Sequence, residues 1–344
     1  MVAHIKPSRS FSNELLQQYR QQGDVPADAV IAALVAAEGP TGLRSLMTWL
    51  ADTTNMQPVS QHPAVQDFFV QQAKLPVWAD MDRMKRGMAF FKKHAQQIGL
   101  TLGFYSLPYS YLGANGAQVL WLTERIKNDT ARRLQETGEW VFAVNNPREW
   151  ETGNAIARTL KIRLIHAGAR WFSLHSKRWN TDWGFPINQE DMAGTNLTFS
   201  YLVLLGLRKS NVVMTEQEEE DYLHHINVVD SLNGVVDELI PTNLREAYNL
   251  NYAIAKRQFT SSEAGIGLTR ALLNAIATQI VQAGTGKSGF TQPETIRNLA
   301  AAEMRFFLGD RYANWLGIPD VPVEKRLISL VNRLPIFSTL IPAL

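Results

Sequence analysis

Lys161-Ile162-Arg163-Leu164-Ile165-His166-Ala167-Gly168-Ala169-Arg170 sets one imidazole inside an apolar helical run, with an arginine about one turn to either side. Residues three and four apart are neighbours on a helix surface, so Arg163 and Arg170 flank His166. No carboxylate in the stretch pairs with the imidazole, and burial disfavours its charged form. A neutral imidazole in an oily helix is what a haem iron takes as its axial ligand. Ala167, Gly168 and Ala169 are small enough for a flat macrocycle to approach. Gly168 costs about 1 kcal/mol relative to alanine in a helix interior, which implies a packing requirement. Guanidinium groups hold carboxylates by two-pronged hydrogen bonds, so Arg163 and Arg170 are expected to bind haem propionates. The plain alternative is a core histidine bonded to a carbonyl. These ten residues leave both readings open.

The same periodicity of 3.6 residues runs along most of the 344-residue chain. It predicts helices over 12–22, 27–37, 41–51, 63–72, 79–98, 117–126, 129–143, 151–175, 189–207, 216–230 and 269–281. Asn188, followed by Glu190 and Asp191, is a good helix start. With no alternation of strands and helices and no series of hairpins, the expected fold class is all-α. Residues 1–75 read as an accessory helical segment. Pro76-Val77-Trp78-Ala79-Asp80 opens the main domain, 76–344.

A net charge of +2 provides no field for nucleic acid, and 45% hydrophobic against 19% charged residues is a globular balance. The absence of cysteine excludes thiolate-ligated haem, iron–sulfur clusters, sulfur-ligated zinc and thiol catalysis. No apolar run reaches the roughly 20 residues of a transmembrane helix. No hydrophobic signal core stands at the N-terminus, so the expectation is a cytoplasmic protein, or a secreted one shown without its leader. The tail 327–344, apolar and broken by Pro335 and Pro342, reads as a docking tail or a weak membrane-surface anchor.

Gly284-Thr285-Gly286-Lys287-Ser288 lacks the earlier glycine of a phosphate loop, which is Val281 here, and reads as a plain loop. Glu220 and His224 stand one turn apart, but the Glu218-Glu219-Glu220-Asp221 run favours a solvated helix start over a metal pair. His62 and His94 read as surface residues, and His175 as the end of its helix. Arg133 and Thr137 share a helix face with Trp140 and Val144, a polar handle in a greasy pocket or else an ordinary surface pair. The dense loop Trp183-Gly184-Phe185-Pro186-Ile187 leading to Asn188 reads as architectural.

Three blocks together carry a family resemblance: Arg133-Leu134-Gln135-Glu136-Thr137; Arg163 to Arg170; and Pro186-Ile187-Asn188-Gln189-Glu190-Asp191, followed by Gly194-Thr195 and Leu197-Thr198-Phe199-Ser200. In order and spacing they resemble the haem-containing oxygenases that include the latex-clearing proteins (rubber oxygenases). A more distant relative is the oxygenase of mycophenolic acid biosynthesis. The resemblance spans about Pro76 to about Ala313. It implies a globin-like helical core, with added N- and C-terminal helices, holding one haem b. His166 matches the proximal iron ligand, Arg133 and Thr137 the motif arginine and threonine beside the haem, and Arg170 the arginine after the ligand. The implied reaction splits a carbon–carbon double bond of a hydrophobic isoprenoid or polyene with O2, giving a ketone and an aldehyde. Two positions depart. Glu136 stands where a rubber oxygenase has a lysine able to cap the iron. Asn115, Ala117 and Gln118 stand where the family offers an acidic residue. These departures keep a second expectation open, a haem protein of another kind such as an oxygen or redox sensor or a peroxidase-like enzyme. A third is a haem-free helical carrier of apolar ligands.

Overall fold

The structure, a computed structural model, describes residues 8–123, 125–283 and 292–324. In chain order the helices are α1 (Asn13–Arg20), α2 (Val25–Ala51), α3 (Pro63–Gln72), α4 (Met81–Thr101), α5 (Leu107–Ser110), α6 (Ala117–Leu122), α7 (Arg125–Val144), α8 (Pro147–Glu151), α9 (Asn154–His175), α10 (Gln189–Phe199), α11 (Tyr201–Lys209), α12 (Glu216–Leu232), α13 (Leu244–Gln258), α14 (Glu263–Ala283) and α15 (Pro293–Trp315). Among the described residues, extended pairing is limited to one isolated bridge between Gly113 and Phe259. The fold is all-α. Gly284–Ser288 and the tail 327–344 lie outside the described residues.

Polar side chains cap the helix starts, Asn188 at the position read from the sequence. Ser12, Asp24, Asp80 and Asn188 each accept a hydrogen bond from the first turn of the following helix. Thr215 and Glu218 form a reciprocal capping box on α12. The two segments predicted over 27–37 and 41–51 are the two arms of α2, which break where Gly39 takes φ +66° and Pro40 follows. The run predicted over 189–207 is two helices, broken at Ser200. After α4 a π-helical turn, Leu102–Ser106, carries the chain into α5.

α4 crosses α12 at Gly87. A Cβ on Gly87 would lie 2.6 Å from His225 Cβ and 2.7 Å from the Asp221 carbonyl oxygen, so only glycine lets these backbones meet. On another side α2 lies along α9, where Leu34, Leu43 and Leu46 pack with Leu160, Leu164 and Ala167 in one apolar cluster. The N-terminal segment is therefore built into the body of the fold. Phe11, Leu16 and Tyr19 belong to the largest core cluster, together with residues of α10, α13, α14 and α15. No helix among the described residues is long and apolar enough to cross a membrane.

Candidate functional site

α9 runs between α2 and α7, and its residues divide by face. Leu160, Leu164, Ala167 and Gly168 are buried, while Ile162, His166 and Ala169 (spaced four and three apart) are partly accessible. Gly168 serves the α2 contact: a Cβ there would sit 2.6 Å from Met47 Sδ. The expectation that Gly168 admits a macrocycle is corrected on this point. Its packing requirement is helix against helix, and of the three small residues only Ala169 shares the accessible side of His166.

The imidazole of His166 is neutral and incompletely bonded, a state it shares with the fully buried His225. Its Nδ1 is buried and has no hydrogen-bond partner. Burial, reinforced by the positive charges of Arg170 and Arg133, lowers its pKa to about 3, so the ring is neutral at physiological pH. The alternative of a core histidine bonded to a carbonyl is not met. A buried, unsatisfied nitrogen costs about 1–3 kcal/mol, and such groups call for an explanation.

α7 brings Arg133 to this imidazole. Arg133 is exposed rather than enclosed, yet its charge reaches both His166 and the buried phenol of Tyr111. Tyr111 caps the C-terminus of α5, and burial pushes its pKa up to about 12 against the opposing pull of Arg133. It therefore keeps its proton. Sequence reasoning missed Tyr111, because it stands 22 residues before Arg133 in an aromatic stretch with no motif of its own. Thr137 lies one turn beyond Arg133 and is half-buried. Trp140 anchors the same helix to α9 by donating from Nε1 to Thr159 Oγ1 at 3.2 Å. Glu136 points elsewhere, paired with Arg132 at 2.9 Å on the surface.

The two arginines beside His166 are held by acids from the N-terminal segment. Arg163 grips Asp24 with two prongs, Nε to Oδ2 at 2.5 Å and Nη2 to Oδ1 at 2.9 Å, and gives Nη1 to Gln72 Oε1 at 3.0 Å. Arg170 donates from Nε to Asp28 Oδ1 at 2.6 Å and, at 3.3 Å, from Nη1 to the Ile187 carbonyl, while its buried Nη2 has no partner. Asp24 and Asp28 are one turn apart on the start of α2, so the two pairs form a double clamp of α2 onto α9. This corrects the propionate expectation for Arg163, whose nitrogens are all engaged by protein. Arg170 keeps one nitrogen unspent.

The loop before α10 is tied to α1, with the Phe185 amide donating to the Arg20 carbonyl at 3.0 Å and Asn188 Nδ2 donating to the Phe185 carbonyl at 2.8 Å. Glu190, fully buried, accepts from Arg257 at 2.7 Å, Arg20 at 3.2 Å and Gln258 at 3.0 Å. Other histidines resolve individually. His62 caps α3, His175 ends α9, and His224 accepts from the Asp80 amide at 2.9 Å. His94 is not a surface residue: it is buried against Phe90 at a break in α4. The Glu220–His224 metal pair is not formed, since Glu220 accepts from the Leu244 amide. No group of three potential metal-binding side chains stands together among the described residues. Two cavities, of about 380 and 850 Å³, flank the turn between α1 and α2. Arg163 and Asp24 line the first and Asp28 the second, and His166 lines neither. They mark the clamps, not the imidazole.

The described residues form an all-α body in which His94, His166 and His225 each leave a buried ring nitrogen without a partner, and of the three only His166 is partly accessible. The chain belongs to the family described as ER-bound oxygenase mpaB/B'/Rubber oxygenase, catalytic domain, whose model matches residues 95–337. The rubber oxygenase of Streptomyces sp. (strain K30) is 24% identical over 310 residues, covering 89% of this chain and 73% of that protein. The structure of latex clearing protein LCP in the closed state has the same fold, with a TM-score of 0.71 and 22% identity over 94% of this chain and 85% of that one. Membership makes this chain an oxygenase by family.

Proposed function

We propose that the chain is a haem b-dependent oxygenase that cleaves carbon–carbon double bonds of a hydrophobic isoprenoid or polyene with O2, giving aldehyde and ketone ends. The observation that carries this reading is the unbonded Nδ1 of a neutral His166 that, unlike His94 and His225, is partly accessible. One imidazole without company fits a porphyrin iron, which brings its other ligands with it, better than a metal ion held wholly by side chains. Haem, when bound, supplies the activation of dioxygen. His166 would hold the iron, and the double clamp fixes the rotation of the helix that carries it. The orphan Nη2 of Arg170 is the donor suited to a propionate. Arg133 would set positive charge beside the reacting groups, and Thr137 would offer a hydroxyl there. The apolar side chains around α9 exclude water and leave the flat double bond to be positioned by shape.

Purified protein supplied with haem should show a Soret band that is lost in His166→Ala. Mass spectrometry of squalene, carotenoid or polyisoprene incubated with it under O2 should find carbonyl-ended fragments. A protein that stays colourless after haem is supplied overturns the proposal. The surface pairing of Glu136, at the position where a rubber oxygenase has an iron-capping lysine, favours one second reading, a haem protein of another kind. Haem binding without carbonyl products from any of these polyenes selects it.

A further inference from the structure

α13 buries Ala247, Leu250, Ile254 and Gln258 and turns its opposite face to solvent. Along that outer face stand Arg245, Tyr248, Tyr252 and Lys256, all exposed. At 100° per residue the four fall in one narrow stripe, roughly 16 Å long from first to last. The two tyrosine rings are 54% and 59% exposed and stack on each other at 6.2 Å, with their planes 19° apart. A cation stands at each end of the ring pair. Neither Arg245 nor Lys256 has an ion pair among the described residues. Neighbouring acids are committed elsewhere, Glu246 to Arg9 at 3.0 Å and Glu219 to Arg208 at 2.6 Å. On the adjacent α11, the buried Tyr201 lies within electrostatic reach of both Arg208 and Tyr248.

We propose that this face of α13 docks on an anionic phospholipid surface. Tyrosine rings settle at the level of lipid headgroups because one edge is apolar and the hydroxyl is wet. Arginine and lysine next to them gain from the negative potential of the lipid phosphates, an attraction that salt screens. Aromatic residues bracketed by unneutralised cations match that chemistry. A plain water-facing helix surface needs neither the stacked rings nor the unbalanced charge. The contact is peripheral and reversible, and it is independent of the oxygenase reading.

The test is co-sedimentation of the full chain with vesicles of phosphatidylcholine alone and of phosphatidylcholine with 30% phosphatidylserine, at low and high salt. The expected result is binding to the anionic vesicles only, weakened at least tenfold by high salt. The pairs Arg245→Glu/Lys256→Glu and Tyr248→Ser/Tyr252→Ser should each lower it at least tenfold, with circular dichroism confirming that both variants are folded. Equal binding by wild type and both variants would place the contact elsewhere, for instance in the apolar tail, and overturn the proposal. Absence of binding by the wild type overturns it too. So does a self-association, seen without vesicles, that the tyrosine variant abolishes, since the stripe would then be a protein contact.

Discussion

Replacing Arg163 by Met removes one half of the ion pair that ties α9 to the start of α2. Its magnitude follows from burial. The Asp24 side chain is 1% exposed and the Arg163 side chain 8%, so the remaining carboxylate would have little access to water. Breaking a buried pair at one partner costs about 3–5 kcal/mol, because the survivor is a charge without compensation. Asp24→Asn should cost a similar amount while keeping the cap that Asp24 places on Ala27. Combining the two removes both charges, so the double variant should lose at least about 2 kcal/mol less than the sum of the singles. For a chain of this length, about 4 kcal/mol lowers Tm by about 5 °C. Thermal and urea unfolding, followed by circular dichroism, measure all three. Single variants within about 1 kcal/mol of wild type, or a strictly additive double, would refute the reasoning. A haem titration separates the roles further: a clamp leaves Asp24→Asn and Arg163→Met equally impaired, whereas a propionate ligand impairs Arg163→Met alone.

Gly87→Ala should destabilise despite the helix propensity of alanine, worth about 1 kcal/mol. Its Cβ meets backbone at 2.7 Å, and overpacking of this kind costs about 1–3 kcal/mol, read as a lowered Tm. Gly234→Ala should weaken the Arg163–Asp24 pair, since Gly234 takes φ +92° and a Cβ there would lie 2.3 Å from Asp24 Oδ2 and 2.5 Å from Arg163 Nε; the thermal shift should approach that of Asp24→Asn. Lys161 donates from Nζ to the carbonyls of Trp49, Asp52 and Asn55 at 2.8, 2.6 and 2.8 Å, closing the C-terminus of α2. Lys161→Met should cost about 2–4 kcal/mol and raise hydrogen exchange around Trp49–Asn55; unchanged protection there would refute the role. Glu218, hydrogen-bonded by Lys93 and capping α12, has its pKa lowered to about 2. Its stabilisation is full above the ordinary glutamate range and is lost as pH falls from there through about 2. The Tm of Glu218→Gln should therefore fall less than that of wild type between pH 5 and pH 2.5.

Much of the fold was legible because helix ends and apolar periodicity are local properties. Asn188 and Thr215 cap where a short polar side chain precedes an acidic first turn. α13 and α15 escaped notice because asparagine and tyrosine dilute the periodicity of one, while a break at Gly309 divides the other. His94 passed for a surface residue because lysines precede it, although its face is set by Phe90, Phe91 and Ile98.

The site divides along the same line. His166 and the order of the motif blocks could be read from the chain alone, since one imidazole among aliphatic residues is conspicuous wherever it stands. What Arg163 and Gly168 do could not. Asp24 is 139 residues from Arg163, and Met47 lies on a helix separated from Gly168 by most of the N-terminal half. Helix spacing shows which residues share a face, but only packing decides what that face meets. Pairing energy and steric fit act through space, over distances that the linear order does not encode.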